Sequence, residues 1–374
     1  MAFSSGTHPT RAIINLPAVR NNLRTVRSAI GSHVKIMAVV KANGYGHGMV
    51  EIAKEAVEWG VDALAVARIE EALALRAAGL TVPILVFEIV PHEYFDRAVQ
   101  QQIQLTITSL DHARALREVA SQMQLPARVH IKVDTGMGRL GMGYASAPSV
   151  IETIMSLEPV EVVGLYSHFA TSDESDQSYA RLQLLRFNRV LQDLDQRKIV
   201  IPLKHMANSG AILAIPEAHF TMVRPGIMLY GYPPRRGMSS SLLPVLSIVS
   251  RISMIKRVEP KTSISYGRRY QTKSHTRIAT VPVGYGDGYS RMLTGKAEVL
   301  IHGKRFPVVG TICMDHFMVD IGNVDNIQVG DSVTLLGREG EASISAWDIA
   351  EKLGTIPYEV TCMVSGRVPR IYVK

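Results

Sequence analysis

From residue 12 to about 228, short β-rich runs alternate with amphipathic helical stretches, and few architectures accept that alternation. The candidate strands are KIMAVV (35–40), DALAVA (62–67), PILVFE (83–88), QLTIT (104–108), VHIKV (129–133), VVGLYS (162–167), LKHMA (203–207) and TMVR (221–224). Helical stretches include LPAVRNNLRTVRSAIG (16–31), stopped at Gly31-Ser32, and ARIEEALALRAAGL (67–80), stopped at Gly79. Eight strands mostly followed by helices predict a (β/α)8 barrel. An open doubly wound sheet is the alternative and would carry a phosphate-binding glycine turn after its first strand. GYGHG (44–48) does not match that GxGxxG pattern, because its third glycine comes one residue early.

After Pro233-Pro234 the pattern changes. From LPVLSIVSRISMIKRV (243–258) onward, alternating strands dominate, with turn signals at EPK (259–261), GYGDG (284–288), IHGK (301–304) and GREG (337–340). A single helix is expected at SAWDIAEKLG (345–354), capped by Ser345 and Asp348 and closed by Gly354. At 374 residues the chain exceeds the usual single core. The expected division is therefore an α/β barrel domain over 1–240 and a mostly-β domain over 241–374.

Composition excludes more than it assigns. The net charge is +8, but the basic residues are dispersed. The densest run, RRYQTKSHTR (268–277), reads as a solvated loop, so no nucleic-acid partner is expected. Two cysteines, Cys313 and Cys362, fit a reducing compartment and offer no metal-type cluster. MAFSSGTHPTRA (1–12) lacks the apolar core of a secretory signal, and no later run reaches membrane-spanning length. A cytoplasmic protein is the expectation.

Chemistry in a barrel gathers at the C-terminal strand ends. Those positions hold Lys41, then Lys132 and Arg139, then His168, then His205, Asn208 and Ser209, and finally Arg224-Pro225-Gly226-Ile227. One such residue is ordinarily a snorkelling lysine or a satisfied rim histidine. Convergence on one face points instead to a site. Ser209 and the Gly226-Ile227 amides suit an anion, and a reactive lysine opposite a phosphate cradle suggests pyridoxal phosphate, whose aldehyde forms a Schiff base with lysine. Arg224 is then the available partner for the ring nitrogen. Arginine stays protonated and gives the ring no proton, which favours brief proton removal and return over decarboxylation or transamination.

A set of motifs in order carries a resemblance over nearly the whole chain: AVVKANGYGHG (38–48), HIKVDTGMGRLGM (130–142), GLYSHFATSDE (164–174), HMANSGA (205–211), VRPGIMLYG (223–231), SYG (265–267), VGYGDGYSR (283–291), GTICMDHFMVD (310–320), PYEV (357–360) and GRVPR (366–370). The chain resembles the alanine racemase family. The resemblance implies that Lys41 holds pyridoxal phosphate and is one acid/base group, and that Tyr266, supplied by the partner subunit of a homodimer, is the other. It implies that Arg139 orients the substrate carboxylate, that Met314, also supplied by the partner subunit, places its amide near that carboxylate, and that Tyr285 narrows the entrance. Arg224 would bond to the pyridine nitrogen and His168 would link Arg224 to the tyrosine. Tyr45, Ser209, Gly226, Ile227 and Tyr358 would hold the phosphate, with Asn208 beside them.

Around these, Cys313 reads as a buried strand residue, and Asp315 as either a site-orienting residue or a turn cap. Lys132 stands where the family sometimes carries a carbamylated lysine; an unmodified lysine is the other reading. Gly44 and Pro357 stand where the resemblance leads to alanine and asparagine, and FEIV (87–90) is less apolar than the family's stretch. The implied activity is racemisation of alanine, which supplies D-alanine for peptidoglycan. Racemisation of serine or another small amino acid, and a non-catalytic carrier of the cofactor, are the alternatives.

Overall fold

Parallel pairing carries the chain once round a closed ring of eight strands. In the computed structural model, which describes residues 8–238 and 241–374, they are β1 (Lys35–Val39), β2 (Ala63–Val66), β3 (Ile84–Val86), β4 (Gln104–Ile107), β5 (Ala127–Asp134), β6 (Val160–Tyr166), β7 (Leu203–His205) and β8 (Met222–Val223). Each pairs with the next. The ring closes where Met222 and Val223 of β8 meet Lys35 and Ile36 of β1. Closure rules out the open sheet and accounts for the apolar strand runs, since a parallel strand is covered on both faces. All four residues of β2 are buried. The helix Ser178–Gln196 shows the matching helical pattern, burying Ala180, Gln183, Leu184, Phe187, Val190 and Leu194.

Two compact units emerge: one of Val19–Gly44 and Met49–Leu243, the other of the described residues up to Ala18, Tyr45–Gly48 and Pro244–Lys374. The expected 240/241 boundary touches residue 240, which lies outside the described residues, as do residues 1–7 of the N-terminal stretch. Sequence order assigns RAIIN (11–15) to the barrel domain. Its strand, Arg11–Asn15, instead joins the β unit, antiparallel to Leu246–Arg251 and parallel to Arg370–Val373. Five residues are too few for periodicity to reveal a partner so distant in sequence.

Tyr45–Gly48 of the GYGHG turn also belong to this second unit. A Cβ on Gly46 would lie 2.1 Å from the Thr361 carbonyl, and one on Gly48 would lie 1.9 Å from the Tyr372 hydroxyl. Both glycines have positive φ, so they serve close backbone packing as well as the turn. The Arg370 guanidinium donates to the Gly46 carbonyl at 2.9 and 3.1 Å. The helix Ala346–Leu353 carries the expected caps, with Ser345 and Asp348 bonded reciprocally and Gly354 left-handed. No helix among the described residues is long and apolar enough to cross a membrane.

Candidate active site

Arg224 follows β8 and is 3% exposed. A buried guanidinium must find acceptors, because desolvation without them is costly. One terminal nitrogen donates to the His205 Nδ1 at 2.8 Å and the His205 carbonyl at 2.9 Å. The other donates to the Ser167 and Met206 carbonyls at 2.8 and 3.1 Å and to the His168 Nδ1 at 3.1 Å. With both terminal nitrogens committed to described residues, the Nε–H is the remaining donor. Burial lowers the Arg224 pKa to about 10, and the side chain stays charged at neutral pH. His168 is held well below its usual range by burial, with Arg224, Arg139, Lys132 and Lys41 adding to the effect. Burial, then Arg224 and His130, lowers His205 in the same way, and the two histidines meet at 2.8 Å. His130 is itself lowered to about 3 by burial and then Arg224.

Lys41 lies just past β1, at the start of a left-handed turn. Ala42, Asn43, Gly44 and Tyr45 all have φ between 51° and 60°. For non-glycine residues this conformation costs roughly 1–2 kcal/mol each. The turn is held by Gly44 N–H to the Val40 carbonyl at 2.9 Å and Met49 N–H to the Asn43 Oδ1 at 3.0 Å. Tyr230 anchors the strand end by donating to the Val39 carbonyl at 3.0 Å. A Cβ on residue 44 would lie 3.2 Å from the Met49 backbone, so glycine eases both contact and conformation there.

Glu71, which sequence reasoning missed, completes the support. Its carboxylate accepts from Ala42 N–H at 2.6 Å and from the Ala67 and Arg68 amides at 2.9 and 3.2 Å. Its only sequence signal is its place at the third position of the helix Ile69–Ala77, where acidic residues reach back to the start.

Lys132 is buried on β5, and its amine is lowered to about 8 by burial, then Arg139, then Arg224, with Lys41 adding and Asp134 opposing. Four cations thus share one field. Asp134 shapes the loop that carries Arg139 by accepting from the Gly136 and Gly138 amides at 2.8 and 3.1 Å. Asn208 caps the helix Ser209–Ala214, its Oδ1 accepting from Ala211 N–H at 3.0 Å. The Ser209 hydroxyl, buried, accepts from the Gly226 amide at 3.0 Å and the Met228 amide at 3.4 Å, locking the loops after β7 and β8 together. The Gly226 amide, expected to face an anion, is thus turned toward Ser209, and Ile227 beside it is fully buried.

The remaining expected residues lie in the β unit. Tyr266 tips a small hairpin, Ser263–Ile264 with Tyr270–Gln271, and is 71% exposed. Ser265 before it has φ 65° and ψ −176°, a region that is essentially glycine's alone. Its hydroxyl donates to the Thr311 carbonyl at 2.5 Å, while the Thr311 hydroxyl donates to the Tyr266 carbonyl at 2.8 Å. Tyr270 donates to Asp320 at 2.6 Å, tying the hairpin to the strand Phe317–Gly322.

The loop after Thr311 brings the others together. Tyr285 N–H donates to the Cys313 carbonyl at 3.0 Å and Gly286 N–H to the Met314 carbonyl at 2.9 Å. Cys313, expected on a buried strand, lies instead in this loop and is half-buried, its Sγ 3.4 Å from the Ser265 hydroxyl. Asp315 pairs with Arg367 at 2.6 Å, and Arg367 also takes Asp287 at 3.0 Å. Tyr45 and Tyr358 meet with ring centroids 6.0 Å apart. Burial, then Tyr358, raises the Tyr45 pKa. Pro357 opens a second helix, Pro357–Cys362, where the sequence led to only one, and in its first turn a missing N–H costs nothing.

Residues 14–234 match the family model for the alanine racemase N-terminal domain, and residues 245–372 match that for the C-terminal domain. An alanine racemase of Methanococcus maripaludis is 47% identical over 370 residues, covering 98% of this chain and 99% of that protein. The structure of an alanine racemase from Clostridium difficile superposes with a TM-score of 0.95 at 41% identity, covering 99% and 97% of the two chains. That of Bartonella henselae, with covalently bound pyridoxal phosphate, gives 0.88 at 30% identity, covering 98% and 99%.

Two measurements check this geometry. Glu71→Ala should lower stability by about 1–2 kcal/mol in urea denaturation, with Glu71→Gln between it and wild type because one acceptor remains. The fully buried His130 and His205 stay neutral in the folded protein but bind protons when unfolded below about pH 6.5. Their contribution is present at neutral pH and is lost as pH falls. Stability should drop with a limiting slope of about 3 kcal/mol per pH unit from these two groups, read from unfolding midpoints at stepped pH.

Proposed function

The chain belongs to the alanine racemase family, and from that membership we propose that it interconverts L- and D-alanine by proton transfer at a pyridoxal phosphate site on the barrel. The observation that carries this reading is Arg224. A guanidinium with both terminal nitrogens bonded to the surrounding chain leaves one N–H to give the ring nitrogen, and no proton. Lys132 and the three cations around it suit a ligand bearing a phosphate, a phenolic oxygen and a substrate carboxylate. When bound, the cofactor supplies the electron sink that makes an α-proton labile.

Lys41 is assigned both attachment of the cofactor and proton transfer on one face. Tyr266 is assigned transfer on the other face, in the site of a second copy. Its exposure, with that of Met314 and Tyr285 at 53% and 42%, supports burial against another molecule. Arg139 binds the substrate carboxylate, with the Met314 amide of the second copy beside it, and Tyr285 restricts entry. His168 accepts from Arg224 through Nδ1, which places its proton on Nε2 for donation toward Tyr266. Ser209, Ile227, Tyr45 and Tyr358 are assigned to the phosphate, Gly226 to the amide bond that holds the Ser209 hydroxyl in place, and Asn208 to the cap beneath it. Cys313 and Asp315 support the Met314 loop. Supply of D-alanine for peptidoglycan is the role that accords with this chemistry.

The Lys132 amine, lowered to about 8 and faced by three cations, also favours reaction with carbon dioxide. The carbamate would form with release of one proton and offset part of that charge. After incubation with 13C-bicarbonate, a carbamate carbon signal should appear in wild type and be missing from Lys132→Ala.

Borohydride reduction and peptide mapping should place the pyridoxyl adduct on Lys41; an adduct elsewhere would overturn the site. Incubation with L-alanine and L-serine should yield D-alanine in preference to D-serine. Tyr266→Phe should keep the cofactor and lose on the order of 100- to 10,000-fold in turnover, the usual worth of a general acid/base group. Unchanged turnover would remove Tyr266 from the mechanism.

A further inference from the structure

Behind Arg224 a line of buried polar side chains crosses the barrel interior. His205 on β7 meets Arg224 through Nδ1 at 2.8 Å and His130 on β5 through Nε2 at 2.8 Å. His130 continues through Nε2 to the Gln104 Oε1 on β4 at 2.9 Å. Arginine can only donate, so the His205 Nδ1 is an acceptor and its proton lies on Nε2. That proton faces the His130 Nδ1, which must accept in turn and carry its own proton on Nε2. The last acceptor is an amide oxygen. The direction of every link thus follows from the one at Arg224, and aligned links polarise one another.

Gly164 on β6 is part of the arrangement. It pairs with His130 across a register shift in the β5–β6 ladder. A Cβ there would lie 2.0 Å from the His130 Nδ1, so glycine leaves the space that the ring occupies. Tyr166 completes the housing, stacked on His205 at 4.9 Å and edge-on to His130 at 6.5 Å.

We propose that Gln104, His130 and Gly164 are positioning residues for Arg224, forming a one-way hydrogen-bond relay that holds His205 in its accepting tautomer and leaves the guanidinium as the relay's single charge. The assignment rests on Arg224 acting at the ring nitrogen. Glutamine is the fitting terminus because it accepts without adding charge. A carboxylate there would stabilise a doubly protonated His130, whose Nδ1–H would then confront the His205 N–H. The groups facing His130 are Gln104 from β4, Tyr166 from β6 and His205 from β7, with Arg224 one link beyond.

The first test is side-chain NMR of wild-type holoenzyme labelled with 15N-histidine. His130 and His205 should both read as neutral Nε2–H tautomers, unchanged from about pH 6 to 8, where an ordinary histidine titrates. An Nδ1–H tautomer or a charged ring at either position would overturn the relay. The measurement needs neither turnover nor a variant, so it fails separately from Lys41 mapping and D-alanine formation.

Variants extend the test. His130→Gln can accept from His205 and donate to Gln104, and should keep kcat/KM within a few fold. His130→Leu breaks both links and should lose about 100-fold, the scale of a small misplacement of a working group. Gln104→Glu should move the acidic limb of the kcat/KM profile to higher pH than in wild type. Equal activity of the two His130 variants, or a Gln104→Glu profile that superposes on wild type, would refute the proposal.

Discussion

A guanidinium withdrawn from water at the mouth of the barrel organises much of what surrounds it. Arg224 cannot shed its proton at neutral pH, so the chain must supply acceptors on every side. It does so with three carbonyls from the ends of β6 and β7 and with two histidines that its charge helps keep neutral. The closed ring makes this possible, because β6, β7 and β8 are adjacent and their C-terminal ends converge. Burial, then Arg139, holds the Lys132 amine down, and the charge of Arg224 adds to the effect.

The reactive lysine is positioned by a different physical device. A run of left-handed residues after β1 stores conformational strain, and bonds from Glu71, Asn43 and Val40 hold it. Tyr266 repeats the principle in the β unit, where Ser265 is held in a glycine-like conformation by its exchange with Thr311. Both proposed acid/base groups thus follow or precede strained backbone that local hydrogen bonds over-determine.

Legibility in the sequence differed between these features for physical reasons. The barrel strands could be read because strands buried on both faces are apolar throughout. Lys41, His168 and Arg224 could be read because charge or polarity at the end of an apolar run is conspicuous. Glu71 could not, because an acidic residue early in a helix is the ordinary preference and says nothing of the amide it reaches in another loop. Gln104 and His130 sat within short strand runs, where one polar residue passes for an outward-facing position. Gly164 was legible only as a weak strand residue until the ring it makes room for was placed beside it.

The sequence by itself determined the alternation of elements, the change to a β pattern after the paired prolines, and the ordered motifs that mark the family. These are local or linear properties, set by periodicity, propensity and spacing. Ring closure, the transfer of Arg11–Asn15 into the β unit, and the direction of the relay behind Arg224 were decided by tertiary structure. Each depends on which strands become neighbours, and a hydrogen bond between residues 75 positions apart, as His130 and His205 are, leaves no trace in the spacing of either.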